Sequence, residues 1–89
     1  MNINANHTFW EDPGHGWLEV ERSMLDYLGL SEKISGYSYQ SNDGKTVYLE
    51  EDQDATLYWN KLKSKGIEIR TCKEHRDNIF IRELNSFTL

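Results

Sequence analysis

Cysteine, proline, basic residues and long apolar runs are all scarce in this chain of 89 residues. The single cysteine, Cys72, has no partner for an internal disulfide, which fits a reducing compartment. Metal-ligand spacing is missing as well. His7, His15, His75 and Cys72 form no Cys-x2-Cys or His-x3-His pair, so neither a metal nor any other cofactor is expected. One proline leaves no Pro-rich linker, and residues 1–89 read as a single small domain. No apolar run approaches the roughly 18 residues of a membrane span. The opening MNINANHTFW lacks the basic and apolar regions of a secretion signal, so a cytoplasmic location is expected. Basic residues are sparse where acids are dense. Residues 1–60 hold 11 acids and 3 bases, residues 61–89 hold 4 acids and 7 bases, and the net charge is −5. That balance weighs against binding a nucleic-acid backbone, where affinity comes from releasing phosphate counterions. It suits a basic partner instead.

What is present is patterned. His7 to Trp10 is β-prone, and Trp17 to Val20 alternates as a returning strand. Between them Asp12-Pro13-Gly14-His15-Gly16 is a turn, because proline presets φ and glycine accepts positive φ. Ser23 opens a short helix carrying Met24, Leu25 and Leu28, and Gly29 suits its stop. Ile34 to Ser41 and Thr46 to Glu50 read as a hairpin around Asp43-Gly44, a pair favoured in type I′ turns. A second helix follows the acidic run Glu50-Glu51-Asp52-Gln53-Asp54. Its apolar face is Ala55, Trp59 and Leu62, and Asp52 or Asp54 is its cap. Ile67 to Cys72 alternates, Arg76-Asp77-Asn78 turns, and Ile79 to Leu84 returns. The order ββα-ββα-ββ implies an α+β fold, with a mainly antiparallel sheet and two helices packed on one face.

Three candidate sites compete. If Asp43-Gly44 forms a two-residue turn, Tyr39 faces Tyr48, Tyr37 faces Glu50, and these side chains share one sheet face. Tyrosine is enriched at interfaces, so Tyr37, Tyr39 and Tyr48, with the acids Glu50, Glu51, Asp52 and Asp54, form one candidate docking surface. The competing reading is a core on both sides of the sheet. The acidic run lacks the glycine and the distal acid of a calcium loop. A second candidate is a small-molecule or nucleotide binder, such as a sponge for a nucleotide signal. It would use Trp10, Trp17, His15 with the Gly14 and Gly16 amides, and Arg70, Arg76 and Arg82. A third is a small hydrolase-like enzyme using His15 or His75 with acids. No nucleophile, base and orienting group stand at a usable spacing, and Cys72 reads as a buried small hydrophobe. His15 itself reads first as a hairpin tip.

The stretches DPGHGWLEV, ISGYSY and VYLEED resemble those of a group of small, mostly uncharacterised proteins carried by phages and other mobile elements of bacteria. The resemblance covers residues 7 to 84. Position 53 is Gln where the similar stretch has Cys, so essential thiol chemistry is not expected there. The resemblance implies an accessory role without assigning any residue a function. By analogy it suggests an inhibitor that docks on a host protein, including a defence enzyme. From sequence, then, the chain reads as a binding protein rather than an enzyme. Its expected partner is a host protein with a basic surface, and pairing with a second copy through an aromatic face stays open.

Overall fold

The chain folds around one six-stranded sheet in strand order β5-β1-β2-β4-β3-β6. The structure, a computed structural model, describes the backbone from residue 3 to 89 and side chains from residue 5 onward. The strands are β1 (Ile3–Glu11), β2 (Gly16–Glu21), β3 (Tyr39–Gln40), β4 (Thr46–Glu50), β5 (Ile67–His75) and β6 (Asn85–Ser86). The helices are α1 (Arg22–Tyr27) and α2 (Asp54–Ser64). All neighbouring strands are antiparallel except β1 and β5. The fold is therefore α+β with a mainly antiparallel sheet.

Alternation along the strands sorts the side chains. Leu18 and Val20 of β2 and Val47 and Leu49 of β4 turn to one face, where they pack with Leu25, Leu28, Ala55, Tyr58 and Leu62 of the helical segments. Gly29 ends α1 at φ +71°. Gly29 N–H bonds Asp26 O at 3.1 Å and Leu30 N–H bonds Leu25 O at 2.9 Å, a Schellman closure that glycine makes without strain. In α2 the buried stripe is Ala55, Tyr58 and Leu62. Trp59, expected on that face, is 42% exposed, and Tyr58 at i+3 takes its place. The expected cap residues do not cap α2. Glu50 instead accepts the N–H groups of Asp52 (2.8 Å) and Gln53 (3.0 Å).

The central hairpin keeps its expected register, with Tyr39 opposite Tyr48, but not its expected turn. Gly44 alone has positive φ there, so Asp43-Gly44 is not a type I′ pair. Gly44 N–H closes on Ser41 O at 2.9 Å, and the glycine follows the turn rather than standing inside it. The strand expected from Ile34 shrinks to Tyr39–Gln40, leaving Tyr37 in a turn.

The largest departure is at the C-terminus. Ile79 to Leu84 is not the return strand of a hairpin with β5. Phe80–Glu83 forms a 3-10 turn lying over the second sheet face, and Asn85–Ser86 then pairs with β3 at the far edge. Ile79 and Ile81 pack there with Trp17 and Tyr48, and Trp10, Tyr39 and Leu84 flank them. Phe80 meets Trp10 and Tyr48 edge-on, at centroid distances of 5.0 and 5.5 Å. Both faces of the sheet are thus core. Among the described residues no helix is long and apolar enough to cross a membrane.

Candidate functional site

The turn after β1 is organised by Asp12. Its Oδ1 accepts the N–H groups of Gly14 (2.9 Å) and His15 (2.8 Å), and its own N–H bonds His15 O at 3.0 Å. Its side chain is only 5% exposed and is gripped by the Arg82 guanidinium, with Nε on Oδ2 and Nη2 on Oδ1. The Arg82 bond holds the carboxyl well below the usual carboxylate range, helped by the two amides and against the effect of burial. The two glycines around His15 serve different needs. A Cβ on Gly16 would lie 2.4 Å from the Phe9 ring, whereas one on Gly14 would meet nothing closer than 3.5 Å. Gly16→Ala should therefore cost about 1–3 kcal/mol through overpacking. Gly14→Ala should stay within about 0.5 kcal/mol. Urea unfolding of the two variants checks the contrast, and equal losses would refute it.

Arg82 also lies 5.2 Å above the Trp17 ring, and Trp17 meets Tyr39 edge-on at 6.1 Å. Beside them opens a pocket of about 350 Å³ lined by His15, Trp17, Tyr37, Tyr39, Glu50, Asp52, Gln53 and Arg82. Six segments converge on it: the first turn, the start of β2, the start of β3 with the turn before it, the end of β4, the residues before α2 and the 3-10 turn Phe80–Glu83. The structure thus joins members of two separately read candidate sets, Tyr37, Tyr39, Glu50 and Asp52 from one, and His15, Trp17 and Arg82 from the other. Gln53 was not singled out as a site residue from sequence. Its position follows from Glu50, whose carboxylate holds the Gln53 N–H.

Other candidates fall outside this pocket. Tyr48 is buried beneath Phe80, so it offers no docking surface. Asp54 is fully buried and cannot serve as a docking acid. Its Oδ2 accepts Ser35 N–H (3.0 Å), Ser35 Oγ–H (2.7 Å) and Ser38 Oγ–H (2.5 Å). Glu51 turns toward Gly16 and lines a separate groove with Phe9, Leu18 and Trp59. Trp10 donates its indole N–H to Glu19 at 3.1 Å and carries Arg76 at 5.4 Å from its ring. Arg70 and Arg76 pair with Glu68 and Glu74 at β5. Of the Gly14 and Gly16 amides expected beside a nucleotide, that of Gly14 points to Asp12 instead, as does that of His15.

The histidines do not assemble a reaction centre. His7 does not face His15 across the first hairpin. Its Nδ1 lies 2.9 Å from Glu19 O and its Nε2 lies 2.9 Å from the Tyr58 hydroxyl. A carbonyl only accepts, so Nδ1 carries the proton and Tyr58 donates to Nε2. Burial lowers the His7 pKa and raises that of Tyr58 to about 12, which keeps both neutral. His75 is exposed and pairs with Glu11 (3.4 Å) and Asp77 (3.2 Å). Cys72 is exposed rather than buried. Among the described residues no cluster of three or more His, Cys, Asp or Glu is placed to hold a metal ion. No family model, curated protein or solved structure matches the chain.

Proposed function

We propose that this chain is a non-enzymatic binding protein that docks on a basic surface of a partner protein, taking a lysine or arginine side chain into the pocket between Tyr37, Tyr39 and Trp17. One observation carries the reading. The pocket's only arginine is already matched by Asp12, so the carboxylates of Glu50 and Asp52 leave an acidic rim beside aromatic walls. Aromatic faces and carboxylates together favour a cation, through ring quadrupoles and direct charge attraction. A phosphate would meet the same rim as repulsion, and the Gly14 and His15 amides are already taken by Asp12. Tyrosine and tryptophan also supply contact area at low entropic cost. The net charge of −5 would add long-range steering toward a basic surface. The likeness to phage and mobile-element accessory proteins gives the biological setting, an inhibitor acting on a host protein. The pocket gives the chemistry.

The test is a two-dimensional amide NMR titration with a short arginine-containing peptide and, separately, with ATP. The peptide should shift the amides of His15, Tyr37, Tyr39 and Gln53, with weaker affinity at higher salt. Asp52→Lys and Tyr37→Ala change exposed side chains, so both variants should remain folded. Each should weaken peptide binding about tenfold, which corresponds to about 1.4 kcal/mol. Tighter binding of ATP than of the peptide, or peptide shifts confined to another face, would overturn the reading.

A further inference from the structure

Strand β5 is nine residues long and lies at the sheet edge, with β1 as its one neighbouring strand among the described residues. Its register with β1 is unbroken from Ile67 to His75, and it contains neither proline nor glycine. Such an edge presents a row of free backbone donors and acceptors to any strand that can pair with it. Which residues face outward follows from one bond. Arg76 N–H reaches Glu11 O at 2.9 Å, and backbone groups alternate sides along a strand. The N–H and C=O of Ile67, Ile69, Thr71, Lys73 and His75 therefore point to the open side.

In antiparallel pairing, opposed residues are of the same kind, either both hydrogen-bonded across the seam or both not. A second copy pairing across a two-fold axis must then set odd residues against odd and even against even, so the axis passes through a residue. Overlap and charge together decide which one, because an axis near either end, at Ile69 or His75, leaves much of β5 unpaired. Centring on Thr71 opposes Glu68 to Glu74, centring on Arg70 opposes it to itself, and centring on Lys73 opposes Arg70 to Arg76. Centring on Cys72 sets Arg70 against Glu74 and Glu68 against Arg76, and two-fold symmetry repeats both pairs. The row Glu68, Arg70, Cys72, Glu74, Arg76 is thus self-complementary about its middle. Glu68, Arg70, Cys72 and Glu74 lie on one face of β5 and Arg76 follows at its end; in the single chain Arg70 pairs with Glu68 and Arg76 with Glu74 along the same strand, while Arg76 also lies over the Trp10 ring. Opposite charges directly across a seam stabilise it, and like charges destabilise it.

We infer that the chain forms a two-fold dimer by antiparallel pairing of β5 with β5 of a second copy, centred on Cys72, which joins the two sheets edge to edge. In this register Cys72 is a non-hydrogen-bonded pair, whose Cα atoms approach to about 4.5 Å. That separation suits a disulfide, and Cys72 is exposed and the chain's only cysteine. The surface is distinct from the pocket described above and does not depend on it.

Analytical ultracentrifugation across a concentration series reads the association, and diamide reads the register. Diamide takes the two thiol hydrogens and leaves a disulfide, so rapid Cys72–Cys72 linkage in the native protein, absent in urea, marks the axis. Expected is a species of twice the 10.5 kDa chain mass. R70E and E74R should each raise the dimer dissociation constant at least tenfold and suppress linkage, and the R70E/E74R double variant should restore both. These side chains are solvent-exposed, so the fold should tolerate the changes. A protein that stays monomeric at millimolar concentration, a dimer without Cys72 linkage, or a double variant no better than the single ones would each overturn the inference.

Discussion

Asp54→Ala should lower the free energy of unfolding by about 3–4 kcal/mol. The carboxylate accepts three hydrogen bonds on one oxygen, from Ser35 N–H, Ser35 Oγ–H and Ser38 Oγ–H. Alanine leaves those donors without an acceptor, and Ser38 is fully buried. One term offsets the loss. Asp54 Oδ1 is itself buried without a partner, and the variant removes it. Ser38 extends the effect, since its Oγ accepts Glu50 N–H at 2.9 Å and its carbonyl accepts Phe87 N–H at 2.8 Å. The start of α2, the end of β4 and the C-terminal strand thus meet at one serine and one aspartate. Domains of this length are stable by roughly 4–13 kcal/mol, so the variant should be marginal. Asp52→Ala, two positions away and exposed, should change stability by about 0.5 kcal/mol or less. Asp54→Asn should fall between them, because the amide oxygen still accepts. Urea unfolding of the three variants checks the order, and a loss below about 1 kcal/mol for Asp54→Ala would show that the network is dispensable.

Asp54 also marks where reading from sequence stops. As a residue type beside Glu50, Glu51 and Asp52 it belongs to an acidic run, and local rules make such a run a helix start or a charged patch. What buries it is the pair Ser35 and Ser38, whose approach depends on how the chain between α1 and β3 is laid across the helix start. No local pattern encodes that approach. The elements set by short-range chemistry were legible. Alternation marked β4, glycine after an apolar stripe marked the end of α1, and the Asp43-Gly44 hairpin carried Tyr39 to Tyr48. Half of the pocket was legible too, as two separate sets of residues. Their meeting required the crossing of Ile79–Leu84 over the sheet, which brings Arg82 to Asp12 across 70 residues of sequence. The apolar run Ile79-Phe80-Ile81 looks like a strand because it packs one apolar layer. It does so from above the sheet rather than from its edge. The parallel pairing of β1 with β5 is likewise silent in local sequence, since no turn specifies it.

Ile81→Ala tests that crossing directly, with an expected loss of about 2–5 kcal/mol. Ile81 is fully buried in the second layer, where its cluster holds Trp17, Tyr48 and Ile79. Truncation removes apolar contacts on a face that only a short 3-10 turn covers, and the rigid aromatic rings beneath it cannot collapse into the space. The cost should therefore lie in the upper half of that range. Leu89→Ala is the internal contrast, since Leu89 is 80% exposed and the change should stay within about 0.5 kcal/mol. Tryptophan emission supplies a second readout, and loosening of the cover should move it to longer wavelength as Trp17 meets water. The consequence extends to the pocket. Arg82 follows Ile81 in the chain, and its grip on Asp12 requires the turn to be seated. In Ile81→Ala the freed guanidinium would compete for Glu50 and Asp52, so affinity for a basic peptide should fall along with stability. A stable Ile81→Ala protein with unchanged emission would show that Ile79–Leu84 is not a core layer, and would also remove the reason for counting Arg82 as neutralised.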